Sequence, residues 1–204
     1  MVPSDNGGSG PREESPPYRV VDLTDQEKEI LRQLALDSIE HGVSEARPLP
    51  VTPGTFPPSL EAPGSVFVTL KIEGQLRGCI GSYQARRPLV EDVAENAFAA
   101  AFKDRRFPPL SESELPEVDF HLSLLTAPDP LDAPTREALL ESLRPGIDGL
   151  LLEDPPHRAT FLPQVWETLP EPADFLEELF LKAGLPRNHW SSTLRFHRYA
   201  VLEF

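Results

Sequence analysis

The sequence predicts an α+β fold built on an antiparallel sheet, and three observations carry that prediction. Residues 66–72 and 76–82 alternate apolar and polar side chains on either side of Gly74, as a β-hairpin requires. Helical periodicity recurs over 24–41, 88–103 and 172–183, without the regular beat of strand and helix that marks a parallel doubly wound sheet. The 204 residues suit one domain, long enough to bury a core without staples, and no internal repeat divides them.

The elements follow in chain order. Residues 1–22 are rich in Ser, Gly, Pro and charge and read as a disordered lead-in, which leaves 23–204 for the folded domain. Thr24 followed by Glu27 forms a capping box. Ile30, Leu31, Leu34, Ala35 and Ile39 then fall on one side of a helix expected to stop near His41-Gly42. Six prolines in 46–64 forbid a regular helix or inner strand there, and a loop of that length is mobile or functional.

In the hairpin, Val66, Val68, Leu70 and Ile72 share one face, and Leu76, Gly78 and Ile80 continue it on the return strand. Arg77, Cys79 and Gly81 then share the other face. Matching the apolar faces sets Ile72 opposite Leu76 across a three-residue loop, Glu73-Gly74-Gln75. Thr69 faces Cys79 in that register, and Lys71 faces Arg77.

Pro88 opens a helix whose buried side is Leu89, Val90, Val93, Ala94, Ala97 and Ala101 and whose wet side is Glu91, Asp92, Glu95 and Asn96. Val118, Phe120, Leu122 and Leu124 point inward from a strand over 117–126. A short helix over 134–143 follows, then strands at 149–152 and 159–162 around Asp154-Pro155-Pro156. The helix over 172–183 ends at Gly184 in a left-handed stop, and residues 193–204 form a final strand.

Composition excludes some functions. A net charge of −14 disfavours a general nucleic-acid or anionic-membrane binder, because both need a basic face. No basic start leads into an apolar stretch, and no run approaches the roughly 18 apolar residues of a membrane helix. One cysteine cannot form an internal disulfide. These features together point to a reducing, cytoplasmic setting.

Cys79 is that cysteine. Arg77 beside it and Lys71 diagonal to it would favour the thiolate, which is the nucleophile. Flanking Gly78 leaves the sulfur unshielded and lets a ligand or another backbone approach. The plain alternative is a small buried residue, the usual fate of a free cysteine. A nucleophilic cysteine calls for a histidine partner, and the spacing selects none of His41, His121, His157, His189 and His197. His121, on the outward face of its strand with Asp119 and Ser123, either adjoins a site or is simply solvated.

From Arg77 to Arg106 the local charge is +2, enough for a patch that draws a small anion or a phosphate, or else ordinary surface charge. No CxxC or HxxxH pair implies a metal, and no glycine-rich phosphate loop implies a nucleotide, so no cofactor is expected.

Five segments in this order, LRGCIG (76–81), KDRRFPPLSESELP (103–116), HLSLLT (121–126), ATFLPQV (159–165) and KAGLP (182–186), resemble the AMMECR-type domain over roughly residues 24–204. The bacterial members of that family are grouped as AmmeMemoRadiSam system protein A. The resemblance implies an α+β fold with an antiparallel sheet, packed helices and a smaller subdomain forming a cleft. It maps the family motif onto Leu76 to Gly81, then Arg106, Phe107, Pro109 and Leu110, then Leu162, Pro163 and Val165. It implies a pathway shared with a Memo-like protein and a radical SAM enzyme, and no established activity. A cysteine common before KAGL is replaced here, where Phe180 and Leu181 stand.

Two readings follow. In the first, Cys79 and Arg77 are catalytic, and Thr69, Lys71, Gly78, Gly81 and Arg106 shape a cleft for a small anionic substrate. In the second, the same strand shapes a non-catalytic groove for a pathway partner, and Cys79 merely packs.

Overall fold

The computed structural model describes residues 23–204, so the expected lead-in over 1–22 lies outside the described residues. Helix α1 (Asp25–Glu45) begins at the capping box: Glu27 N donates to Thr24 Oγ1, and Thr24 N donates back to the Glu27 carboxylate. It runs past Gly42, and Ala46 closes it in the left-handed region. Gly42 is there for packing, because a Cβ on it would lie 2.4 Å from the Phe102 ring. Such close helix–helix contact leaves no room for a side chain.

The proline-rich segment is a loop with one helical turn, α2 (Pro58–Glu61), which Pro57 and Pro58 can open because the first turn needs no N–H bond. Strand β1 (Pro63–Ile72) turns through Glu73 and Gly74, at φ 50° and 76°, into β2 (Gln75–Gly81). The loop therefore has two residues, and Ile72 pairs with Gln75 instead of Leu76. Two successive positive φ values match the right-handed strand twist that favours this turn. A register shift follows at once: Lys71 pairs with Leu76, Leu70 with Gly78 and Thr69 with Cys79. Arg77 is the extra residue of this bulge. The expected Thr69–Cys79 pair forms, the Lys71–Arg77 pair does not, and Leu76 is 42% exposed instead of inward.

The short β3 (Arg87–Pro88) leads into α3 (Leu89–Phe102). Every apolar residue assigned to its inner side is buried, but so are Asp92 and Asn96, which were expected on the wet side. The Asp92 carboxylate accepts from Val66 N, Ser82 Oγ and Asn96 Nδ2, which explains how a charged group lies in the core. Burial raises its pKa above the usual value, against the pull of those bonds and of Arg87.

A 3₁₀ turn at Glu112–Glu117 precedes β4 (Val118–Leu125). The first sheet runs β2-β1-β4-β9, where β9 is Val201–Glu203 at the end of the chain, with β3 on β1, all antiparallel. Val66, Val68, Leu70, Leu122 and Leu124 face α1 and α3 in the larger core. Each such Leu or Val stabilises the fold by about 2 kcal/mol.

The small lobe holds β5 (Asp129–Leu131), α4 (Arg136–Ser142), β6 (Gly149–Asp154), β7 (His157–Phe161), α5 (Pro172–Lys182) and β8 (Arg195–Tyr199), with a 3₁₀ turn at Pro163–Glu167. Its sheet is ordered β5-β8-β6-β7 and packs α4 and α5 around Phe175, Phe180 and Trp166. Gly184, at φ 76°, ends α5 as expected: Gly184 N donates to Leu181 O and Leu185 N to Phe180 O.

The expected final strand divides in two. It breaks at Ala200, whose carbonyl and N–H are taken by Thr126, and β9 (Val201–Glu203) crosses into the first sheet. Tyr199, Leu125 and Leu151 form the joint between the lobes. Among the described residues no helix is long and apolar enough to cross a membrane.

Candidate functional site

Pleating sends Val66, Val68 and Leu70 toward the helices and Phe67, Thr69 and Lys71 to the other face of β1. The small lobe overhangs that second face. With the helices on one face and the small lobe on the other, the end of β4 is covered on both sides, which is why Ser123 and Leu125 are buried beside Leu122 and Leu124. A cleft of about 850 Å³ lies between floor and overhang. Strand pairing lays its floor out in rows: Cys79, Thr69 and His121 form one, and Phe67, Ser123 and Glu203 the next.

Cys79 is held at three points. Thr69 Oγ1 donates to its Sγ at 3.3 Å, Cys79 N donates to Asp104 Oδ2 at 2.9 Å, and Arg106 Nη2 donates to Cys79 O at 3.3 Å. Because its N–H and C=O point away from β1, Cys79 and Thr69 form a non-hydrogen-bonded pair, the type that brings side chains closest. Asp104 and Arg106 thereby also satisfy the open edge of β2. Arg106 grips Asp104 through Nη2 at 2.6 Å and Nε at 3.0 Å. Those bonds, with the Cys79 N–H, hold the Asp104 carboxyl far below the usual carboxylate range despite its burial, and raise Arg106 in turn.

The roof comes from β7, the turn after it and the end of α5. Lys182 Nζ donates to Thr160 O at 2.8 Å and stands 4.9 Å from the Phe161 ring centre. Lys182 is open to solvent in the cleft, yet protein crowds its ammonium. The resulting loss of hydration lowers its pKa, Cys79 pulls it back up, and Arg106 pushes it down. Tyr199 anchors the roof from behind: its hydroxyl donates to Phe161 O at 3.0 Å and meets Thr160 Oγ1 at 2.6 Å. Burial raises the Tyr199 phenol well above the usual value, so it stays neutral.

Thr69, Lys71, Cys79 and Arg106 meet in this cleft. Gly81 does not itself line the cleft, although it was expected there: it lies against Phe67, which does, and a Cβ on it would come within 2.2 Å of the Phe67 ring. Gly78 points the opposite way, and a Cβ there would sit 2.1 Å from the Ala100 carbonyl oxygen of α3. The backbone that Gly78 admits is thus a helix of the core.

Arg77 does not join the cleft lining. The bulge turns it toward the 103–117 loop, where Nε and Nη2 bind the Glu114 carboxylate at 2.8 and 3.2 Å and Nη2 reaches Pro109 O at 3.4 Å. Arg77, followed by the Ser111 N–H, lowers the Glu114 pKa to about 2. Arg87 likewise pairs with Asp92. Three arginines of the positive patch, Arg77, Arg87 and Arg106, are thus each taken up by a separate carboxylate.

His121 is the one histidine in the lining, 3.6 Å from Asp119. Ser123, which strand alternation put on the outward face with His121, also lines the cleft; Asp104, Gln164 and Lys182 line it too and carried no signal of spacing or periodicity in the sequence. Their only flag was membership of the segments that carry the resemblance. All five segments contribute: Cys79, Asp104 and Arg106, His121 and Ser123, Thr160 to Leu162, and Lys182. Phe180 is buried in the small-lobe core and Leu181 is exposed outside the lining. Among the described residues no group of three or more His, Cys, Asp or Glu side chains is placed to hold a metal ion.

These features define a two-lobed α+β protein with a thiol on the floor of the interlobe cleft. The AMMECR1 family model matches residues 32–204, and the chain belongs to that family. A protein from Thermofilum pendens is 37% identical over 198 residues, covering 89% of this chain and 91% of the relative. One from Methanothermobacter thermautotrophicus is 36% identical over 169 residues, covering 80% and 85%. The crystal structure of an uncharacterised protein from Pyrococcus horikoshii superposes with a TM-score of 0.80 at 31% identity, over 89% of this chain and 92% of that one.

Proposed function

We propose that the cleft binds a small anionic molecule and that the Cys79 thiol is the group that acts on it. One observation carries this reading: the five separate segments that resemble the family converge on one cleft around the only sulfur nucleophile of the chain. Lys182, Lys71 and Arg106 supply positive charge, and Thr69 supplies a hydroxyl donor to the sulfur. A cation and a donor beside a thiol favour its reactive form. Arg77 takes a different part from the one its sequence position suggested: its pair with Glu114 braces the loop that presents Asp104 and Arg106.

The rate of Cys79 alkylation by iodoacetamide, measured against pH with and without small dicarboxylates, tests the reading. Lys182→Met is expected to slow alkylation at pH 7.5 about three-fold, the size of a modest charge effect. Dicarboxylates are expected to protect the thiol. A thiol that titrates like free cysteine and is protected by no anion would overturn the reading.

The pathway setting, with a Memo-like protein and a radical SAM enzyme, is part of the proposal and rests on the family resemblance. A second reading, a non-catalytic docking module, draws on a hollow of about 540 Å³ next to the cleft, where Ile147 is 52% exposed. It requires that Cys79→Ser keep partner capture intact, which a pull-down of the two candidate partners measures.

A further inference from the structure

The cleft has two electrically distinct ends. At the β2 end Lys182 lies within electrostatic reach of Cys79 and Arg106, and Lys71 lies one position along β1 from the Cys79–Thr69 pair, two residues from Thr69. At the other end is β9, the opposite edge strand of the same sheet, which carries Glu203. Glu167 and Gln164 belong to that end too, because they line both the cleft and the hollow beside β9. The two edges are three strand spacings apart, roughly 14 Å.

Several cations are taken up by carboxylates: Arg77 by Glu114, Arg87 by Asp92 and, in the cleft wall itself, Arg106 by Asp104. Four other charged groups of the cleft lining differ. Among the described residues no ion pair engages Lys71, Lys182, Glu167 or Glu203. The Gln164 Oε1 acceptor is buried with no donor among the described residues. Ser123 Oγ donates to Glu203 at 3.1 Å, which orients that carboxylate without neutralising it. One end thus offers two cations outside any ion pair, and the other two carboxylates with the Gln164 amide oxygen beside them. Buried acceptors are satisfied by hydrogen-bond donors, and unpaired charges facing a cavity are met by opposite charge.

Resting on the anion-binding reading above, we infer that the ligand of this cleft is an elongated zwitterion of the short-peptide class. Its carboxylate lies at the Lys182–Lys71 end beside Cys79, and its ammonium at the Glu203–Glu167–Gln164 end. Side chains reach inward from both edges, so a span of about 10 Å fits, the length of an extended tripeptide.

Protection of Cys79 from iodoacetamide, followed by intact mass on the full chain, tests this with triglycine, N-acetyl-triglycine, triglycine amide and glutarate as probes. Triglycine is expected to slow alkylation at least about five-fold at a concentration where the acetylated and amidated forms slow it less than about two-fold, since each loses one charged contact. Glu203→Gln and Glu167→Gln are each expected to erase the preference for the free amine while leaving glutarate protection unchanged. The second variant guards against loss of the Ser123 bond in the first. If glutarate or N-acetyl-triglycine protects as well as triglycine, the zwitterion falls and the anion-binding cleft stands. Equal protection by triglycine amide removes the carboxylate end and overturns the inference. Protection by none of the probes overturns both.

Discussion

Two buried carboxylates organise hydrogen-bond clusters here, and they differ in what they leave free. Asp154, in the small lobe, accepts from His189 Nε2 at 2.6 Å, Ser191 Oγ at 2.9 Å and Thr193 Oγ1 at 2.5 Å. Those residue types make up a hydrolytic triad, but here every donor ends on the carboxylate, and none lies in the cleft lining. A triad needs its hydroxyl bonded to the histidine, which needs the acid. Thr193 and then His189 lower Asp154 to about 2, and the cluster fastens the 184–194 loop to the end of β6. Asp104 also binds every donor offered to it, yet the residue it secures by the backbone keeps its side chain facing the cavity. The presence of reactive side chains does not separate the two clusters. What separates them is whether one is left unspent.

The severest test of this contrast is Gly78→Val. Its Cβ meets the Ala100 carbonyl at 2.1 Å, and neither backbone can retreat. A loss of about 3 kcal/mol or more, or failure to fold, is expected in urea denaturation, because overpacking against backbone has no cheap relaxation. A well-folded Gly78→Val would mean that charge, not shape, holds the Cys79 strand.

Asp104→Ala compared with Asp154→Ala divides the clusters directly. The first is expected to cost about 2 kcal/mol, from lost charge-assisted bonds discounted for the exposure of Arg106. It also quickens Cys79 alkylation, because Arg106 loses its counter-charge beside the sulfur. The second leaves alkylation unchanged and reduces acid sensitivity. The folded pKa of Asp154 is depressed, so its contribution is full above about pH 4 and is lost as pH falls toward about 2. Denaturation midpoints between pH 5 and 2 measure it, and a change in alkylation on Asp154→Ala would break the contrast.

Thr69→Val removes a hydroxyl donor to the sulfur. Alkylation at pH 7.5 is expected to slow about three-fold, the value of one modest hydrogen bond, with stability nearly unchanged. The smallest effect belongs to Leu76→Gln: at 42% exposure it is expected to shift stability by less than about 0.5 kcal/mol, whereas an inward Leu76 would cost several times that.

Legibility in the sequence followed the range of the interaction. The Thr24 cap, the Gly184 stop and the inner side of α3 were readable because each depends on residues within a turn or two. Asp92 and Asn96 are buried, against expectation, because their partners, Val66 on β1 and Ser82 just past β2, lie outside the helix. Arg77 was placed beside Cys79 because strict alternation was assumed, and a single bulged residue reverses that assumption. His121 could not be selected among the histidines until β4 was laid against β1.

The sequence by itself determined the α+β class, the hairpin and the family, since these depend on local periodicity, turn residues and short motifs, whereas the expected Thr69–Cys79 pair forms only because the bulge at Arg77 offsets the shorter loop. Only the tertiary structure decided that Arg77 serves Glu114, that the charges of Lys182 and Arg106 act on Cys79, and that the last strand divides between two sheets. The physical reason is the same in each case. A charge is neutralised or left free by groups far away along the chain, and periodicity carries no record of which segments fold against one another.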